Sequence, residues 1–311
     1  MESAHTARFM TTSLLLALAL AALTCLLTWG PGTHLEFAHR VYRRRKDQLP
    51  ASVAHLLEEQ PSAWQYGNIA ADIINFKGVG GHYNHCHRWT IIEQMRDLAS
   101  TPAEEAFVLG YLGHLAADTI AHNHFVPYHL ARYARTKGLG HLYWEMNADR
   151  FVPEARWDVV TRLKSDTDLD QLDDLVNRTV PKKALPMGTN KLVFNHVLLV
   201  SERSQWRRGV ARLHPIERLS LKRGFLDRFR TAAVKRVVLA LNPRGLGRLA
   251  HVDTNGKAAQ KAAMQVRTRL LERLQPGRLR EEQSRKLAAP FLEGMESPPP
   301  RINGGRVPHW D

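Results

Sequence analysis

Histidines and carboxylates are spaced along the first half of this sequence in a way that suits metal coordination. Eleven of the 16 histidines lie between His34 and His141. His114 and Asp118 are four residues apart, as are His141 and Glu145, so each pair would project from one face of a helix. Imidazole nitrogen and carboxylate oxygen are donors that zinc accepts at roughly 2.0–2.2 Å. The spacing therefore predicts a zinc centre.

Further candidate ligands surround these two pairs. Asp72 ends the segment Asn-Ile-Ala-Ala-Asp, His85 and His87 flank a single cysteine, and His34 follows an apolar N-terminal run. One His-x-x-x-Asp pair alone is more often a surface hydrogen bond, but four such segments within about 120 residues favour metal binding. Two carboxylates with several imidazoles can hold two ions about 3.5–4 Å apart, as in sites that hydrolyse phosphodiesters. Three other histidines are expected to be structural or solvent-facing, namely His39, His55 and His129.

The elements that must position these side chains are helices. Thr101-Pro-Ala-Glu104 has the composition of a capping box and predicts the start of the helix that carries His114 and Asp118. Helix ends are expected at glycines and prolines such as Pro127. No run alternates apolar and polar residues for long enough to form a sheet, so the prediction is an all-α fold. Apolar residues recur at helical spacing near 35–48, 89–99, 103–122, 140–152, 189–213, 225–241 and 257–274.

In order and spacing, these motifs resemble the zinc-dependent phospholipase C family of bacteria, an all-helical fold shared with zinc single-strand nucleases. The resemblance covers about residues 29–150. Trp29 and the Thr-His-Leu segment at His34 resemble the start of the family domain. The remaining matches are Asp72 with His85, His-x3-Asp-x5-His at 114–124, and His-x3-Glu at 141–145.

The resemblance implies two or three zinc ions and a ligand set for each. One ion would be held by Asp72, His85, His114 and Asp118, with His87 as the alternative to His85. A second would be held by His124, His141 and Glu145, with His122 as a weaker alternative to His124. Asp118 would bridge to a third ion near His34 and Trp29.

The expected activity is hydrolysis of a phospholipid to diacylglycerol and a phosphorylated head group. Zinc would lower the pKa of a bound water towards 7, and Asp72 is the candidate catalytic residue that aligns or deprotonates this water. Two alternatives remain: a nuclease or nucleotidase on the same scaffold, and a non-catalytic membrane-associated protein with structural zinc.

The formal net charge of +14 belongs to the last third of the chain. Residues 1–200 hold 20 basic and 20 acidic side chains, whereas residues 201–311 hold 24 and 10. Nucleic acid is not the expected partner, because single-strand binding interleaves cations with stacking aromatics and this region has few. We expect residues 201–241 to contact an anionic membrane surface, with a helix packed on the core and a solvated basic face as the alternative.

The remaining organisation follows from composition. Ser13–Trp29 is an uncharged apolar run, which predicts export to the periplasm or medium by a signal peptide, or anchoring in a membrane by residues 10–29. Two cysteines cannot form a disulfide framework. The predicted divisions are a leader or anchor at 1–28, the zinc domain at 29–200, a basic helical extension at 201–295 and a disordered tail at 296–311.

Overall fold

The fold is all-helical, as predicted: within the described residues every regular element is a helix. The leader, the boundary between residues 200 and 201, and three candidate ligands (His85, His141 and Glu145) lie outside the described part. None of the helices within it combines the length and the apolar character needed to cross a bilayer. The structure is a computed structural model that describes residues 29–74, 86–133, 144, 147–180, 185–192, 221–243 and 245–300.

Short connections join most of the helices in the described ranges. A π-helical turn, Ala121–Phe125, joins α6 to α7, and short 3₁₀ helices, Thr167–Leu172 and Ala289–Leu292, precede α9 and follow α13. The α-helices, in chain order, are α1 (Pro31–Arg43), α2 (Arg45–Gln48), α3 (Ala51–Glu59), α4 (Pro61–Ala70), α5 (Trp89–Leu98), α6 (Pro102–Ile120), α7 (Val126–Arg132), α8 (Glu154–Ser165), α9 (Asp173–Thr179), α10 (Arg223–Leu241), α11 (Leu246–Leu249), α12 (Lys257–Arg273) and α13 (Arg278–Ala288).

The predicted capping box begins α6. The Thr101 hydroxyl accepts a hydrogen bond from the Glu104 backbone N–H at 3.2 Å, and the Glu104 carboxylate accepts one from the Thr101 N–H at 3.0 Å. These bonds satisfy two donors that a helix start otherwise leaves unpaired. They fix the helix start, and with it the direction in which His114 and Asp118 project.

Helix α6 lies at the centre of the core. Almost every side chain from Ala106 to Ile120 is buried, and α4, α10, α5 and α1 pack around it. Such all-round burial matches the largely apolar sequence of this stretch. His114 and Asp118 therefore project into the protein interior.

Helices α4 and α6 cross at two glycines. A Cβ added to Gly67 would lie 2.1 Å from the Phe107 carbonyl oxygen, and one added to Gly110 would lie 2.4 Å from the Trp64 carbonyl oxygen. No side chain fits between these two backbones. The contact brings the C-terminal end of α4 directly against the middle of α6.

We expect Gly110→Ala to destabilise the protein by about 1–3 kcal/mol, because the new methyl group must force the two backbones apart. The matched control is Gly224→Ala in α10, where the added Cβ would meet nothing within 4 Å. That control should be neutral or stabilising by up to about 1 kcal/mol, from better helix propensity. Urea unfolding of both variants measures the difference, and equal stabilities would contradict the close crossing.

An aromatic cluster joins α7 to α10 and encloses His129. Its ring lies 4.4 Å from those of both Phe125 and Trp144 and 5.8 Å from that of Phe229. Nδ1–H donates to the Phe125 carbonyl at 2.6 Å. Burial lowers the pKa of His129 to about 3. This histidine is therefore a neutral packing residue of the core.

Stability should fall on acidification because of His129. Its folded-state pKa lies below the unfolded value, so its contribution is complete above about pH 6.5 and is lost as the pH falls towards 3. Between pH 6.5 and 5 we expect wild type to lose about 2 kcal/mol more than His129→Phe, which has no proton to bind. Urea midpoints at the two pH values test this, and parallel losses in both proteins would contradict it.

Helix α10 belongs to the same core as the N-terminal helices. It packs on α6 and α1, and its Leu226, Phe229 and Val237 side chains are buried. Two of the arginines expected on a solvated basic face are buried as well. Arg230 donates to the Ala148 carbonyl at 3.1 Å, and Arg236 donates to carbonyls of the C-terminal segment.

Candidate metal centre

Six side chains from four parts of the chain converge beside the middle of α6. His114 and Asp118 project from one face of α6, and His122 follows one turn later in the π-helical turn. His34 comes from α1, Asp72 from the turn after α4, and His87 from the segment before α5. All six are buried, at 4 % exposure or less. The contact between α4 and α6 places Asp72 here.

Three ligand atoms, from His87, His114 and Asp118, lie within 3.2 Å of one another. His87 Nε2 lies 3.1 Å from both His114 Nε2 and Asp118 Oδ2, and His114 Nε2 lies 3.2 Å from the same oxygen. Asp72 Oδ1 lies beside this group, 3.5 Å from His87 Nε2 and 3.9 Å from His114 Nε2. Tetrahedral ligands of zinc with N and O donors are roughly 3.3–3.4 Å apart.

A second group of donors meets the other side of Asp118. His34 Nε2 lies 3.4 Å from Asp118 Oδ1, and its ring stacks on His114 with centroids 3.9 Å apart. His34, Asp72 and His114 together also have donor atoms close enough to share an ion. The two oxygens of Asp118 therefore face two different sets of histidines, as a carboxylate that bridges two ions would.

Backbone and side-chain contacts orient two of the imidazoles. His114 Nδ1–H donates to the Asn68 carbonyl at 2.8 Å, which leaves the Nε2 lone pair directed at the cluster. His87 Nδ1 lies 3.2 Å from the Cys86 sulfur. Outer contacts of this kind determine which ring nitrogen is available to a metal.

Asp149 fixes the start of α1 and hence the position of His34. Its Oδ1 accepts hydrogen bonds from the Thr33 N–H at 3.0 Å and the Thr33 hydroxyl at 2.5 Å. Burial raises the pKa of Asp149 to about 6. The residue before His34 is thereby tied to a part of the chain 116 positions away.

The loop before α12 and the first turn of α12 hold the cluster from the C-terminal side. The Thr254 hydroxyl donates to the His87 carbonyl, and Gln260 Nε2 lies 3.4 Å from His122 Nδ1. Gly256 adopts φ +57°, and a Cβ there would lie 2.0 Å from the His122 carbonyl oxygen, so only glycine allows this approach. The C-terminal third therefore supports two of the six converging residues.

The electrostatics of the centre favour an ionised Asp118. Burial would raise the pKa of its carboxyl, but the neighbouring His114 and His122 hold it well below its usual range. Burial and the nearby His114 lower the pKa of His34. For His114, the Asp118 and Asp72 carboxylates outweigh the effect of burial and raise its pKa.

The π-helical turn decides which later histidine faces the centre. Pro127 has no N–H for the Asn123 carbonyl and its ring crowds that carbonyl, so the helix widens before it instead of ending there as predicted. His122 Nε2 lies 3.7 Å from Asp118 Oδ2. His124 points elsewhere, and its Nδ1–H donates to the Phe291 carbonyl at 2.9 Å.

The predicted ligands thus divide into three groups. The structure brings together His34, Asp72, His87, His114 and Asp118, adds His122, and leaves His124 apart. The four-residue spacing between Asp118 and His122 was a signal that His122 is a ligand. No local signal in the sequence pointed to Thr254 or Gln260.

Trp29, another predicted ligand, lies in the core, where its ring stacks on Phe125 at 4.5 Å. The roles of His85, His141 and Glu145 stay predictions.

These residues fit zinc. Both carboxylate oxygens of Asp118 and both ring nitrogens of His34 are buried without a hydrogen-bond partner among the described residues. Buried polar atoms without partners are costly, and a cation would satisfy them. The donors are imidazole nitrogens and carboxylate oxygens, which suits zinc.

Asp118→Asn should remove most of the bound zinc. The amide keeps the shape of the carboxylate but loses its charge and one acceptor oxygen, and we expect zinc affinity to fall by more than about 100-fold. His55→Gln, at an exposed histidine that lies near Glu59, is the control and should bind as wild type. Metal analysis after dialysis and competition with a chromophoric chelator measure both variants. Unchanged zinc content in Asp118→Asn would contradict the assignment.

Comparison with known proteins agrees with this geometry. Residues 33–184 match a family model described as zinc dependent phospholipase C. The match contains every predicted ligand except Trp29, which lies four residues before it. No curated protein and no solved structure gives a match.

Proposed function

Over residues 33–184 the chain belongs to the zinc-dependent phospholipase C family of hydrolases, and we propose that it hydrolyses a phospholipid to diacylglycerol and a phosphorylated head group. The observation that carries this proposal is the pair of buried donor groups that share His114, one of His87, His114 and Asp118 and the other of His34, Asp72 and His114. When bound, zinc polarises phosphoryl oxygens and makes water a better nucleophile near neutral pH.

Two or three ions are the proposed complement. The position of Asp118 favours more than one ion, because its Oδ1 faces His34 while its Oδ2 faces His87 and His114. A single ion would leave one of these oxygens buried without a partner in the described part of the chain. A further ion at His124, His141 and Glu145 stays a proposal from the family resemblance.

Asp72 is the proposed catalytic base. It stands at the edge of the cluster and keeps 4 % exposure, whereas Asp118, His114 and His34 are fully buried. A carboxylate at that position can accept a proton from an attacking water and orient its lone pair towards phosphorus. The fully buried Asp118, His114 and His34 exclude water and hold the cluster rigid, which keeps the Asp72 carboxylate at a fixed position relative to the substrate.

The substrate proposal is tested with the purified full-length protein. Dihexanoyl phosphatidylcholine should yield diacylglycerol and phosphocholine, activity should vanish on chelation, and zinc should restore it. Full activity after zinc removal would contradict the proposal. Cleavage of a single-stranded oligonucleotide without phospholipid hydrolysis would favour a nuclease, and inactivity on both would favour structural zinc.

Asp72→Asn tests the proposed base, and metal analysis distinguishes that role from a role as zinc ligand. We expect kcat to fall by roughly 10²–10⁴-fold, as for loss of a general base. Metal analysis of the same sample shows whether zinc is retained. Asp97→Asn, at an exposed carboxylate of α5, removes the same charge and should keep full activity. Wild-type kcat in Asp72→Asn would exclude Asp72 as the base.

We also propose that the protein is exported and works at an anionic membrane surface. Residues 1–28, with the apolar run, would direct export or anchoring. On α10 the exposed cations Arg223 and Lys235 would contribute on the order of 1 kcal/mol each near anionic lipid. The fraction of protein that sediments with vesicles should rise with their phosphatidylglycerol content and fall with added salt. Sedimentation that depends on neither would contradict the surface contact.

A further inference from the structure

A basic groove lies on the face of α1 that is turned away from the metal centre. Its volume is about 700 Å³, and α1, α8 and α10 line it. Arg43 is nine residues after His34, which at roughly 100° per residue places it on the opposite side of the helix. Five cations and one carboxylate belong to the described lining: Arg40, Arg43, Arg44, Arg156, Lys235 and Glu36.

The carboxylate neutralises only part of this charge. Glu36 accepts a hydrogen bond from Arg40 Nε at 2.7 Å and lies 3.7 Å from Arg156 Nε. Arg156 Nε is buried and has no hydrogen-bond partner among the described residues. Two guanidinium groups thus share Glu36, and Arg40 also lies 4.0 Å from the Asp227 carboxylate.

The other three cations have no such compensation. Arg43, Arg44 and Lys235 are exposed, and in the described ranges none of them pairs with a carboxylate. The next two cations along the chain, by contrast, both reach the Glu58 carboxylate. Arg43 and Arg44 also suit the negative end of the α1 dipole, which explains their type but not their convergence with Lys235 of α10.

One side of the groove is apolar. Val234 and Val238 are one turn apart on α10, and the Thr231 hydroxyl and the Gln48 amide add hydrogen-bonding groups. Cations beside an apolar strip suit a ligand that has an anionic head and a less polar body.

His39 lies in the same positive environment. This side chain lines the groove, and burial, together with nearby Arg156, Arg43 and Arg40, lowers its pKa. Excess positive charge therefore persists there despite Glu36.

We propose that this groove binds a phosphate-bearing anion, either the head group of an anionic phospholipid or a free phosphate. Guanidinium groups pair bidentately with phosphate oxygens, and several cations around one cavity match a dianionic phosphate better than a single carboxylate. The proposal goes beyond hydrolysis, and none of its residues is a candidate zinc ligand.

Calorimetric titration of the zinc-loaded full-length protein tests binding. The probes are inorganic phosphate and dihexanoyl phosphatidic acid, a phosphate monoester that a phosphodiesterase does not cleave. The double variant Arg43→Gln, Lys235→Gln should bind roughly tenfold more weakly or lose one site. The control Lys261→Gln, Arg269→Gln removes the same charge from the exposed face of α12 and should bind as wild type.

Location is tested separately, because zinc itself can bind phosphate. Phenylglyoxal labels arginines, and mass spectrometry of peptides should show that either probe protects Arg43 and Arg44 but not Arg269. Protection at lower concentration by phosphatidic acid than by phosphate identifies a lipid head-group site, and equal protection identifies a free-phosphate site. Absence of protection, or equal weakening in both double variants, would overturn the proposal. Because neither assay measures hydrolysis, their outcome is independent of the proposed function.

Discussion

The close crossing of α4 and α6 at Gly67 and Gly110 is the contact on which the metal centre depends. Asp72 lies just beyond the end of α4, and His114 and Asp118 lie one and two turns beyond Gly110 on α6. The separation of the helices therefore sets the separation of the two carboxylates. The Asn68 carbonyl, which orients His114, also reaches α6 only because the backbones touch. A glycine pair here serves the chemistry of the site as much as the packing of the core.

The surroundings of Asp118 explain why a charged side chain is found in such an apolar core. A buried carboxylate without hydrogen-bond donors is costly by itself, and so are stacked buried imidazoles such as His34 and His114. Both arrangements become favourable when a cation binds to the carboxylate oxygens and imidazole nitrogens. Part of the free energy of folding is therefore coupled to metal binding, as in other metal-dependent folds. The same argument explains why His129, which has no carboxylate beside it, is held neutral.

The sequence alone predicts those features of the fold and the site that depend on a local pattern of residues. The capping box at Thr101 and the His114–Asp118 pair on one helix face follow from spacing alone, and the all-helical class follows from periodicity. Helix α4 was missed because its small and aromatic residues are buried on several sides, which leaves little periodicity. The alternatives at His122 and His124 depend on a π-helical turn that spacing does not show. Thr254 is 167 positions from His87, and such long-range contacts have no local signal.

The clamp formed by Thr254, Gly256 and Gln260 has a consequence for the order of events in folding. These residues lie beyond the family match, yet they hold His87 and His122 from outside. Contacts of such high sequence separation form late, since a long loop must close first. The centre cannot reach its final geometry until the chain has been synthesised as far as Gln260. The contacts that hold His87 and His122 from outside are thus complete only when residues 254–260 have docked.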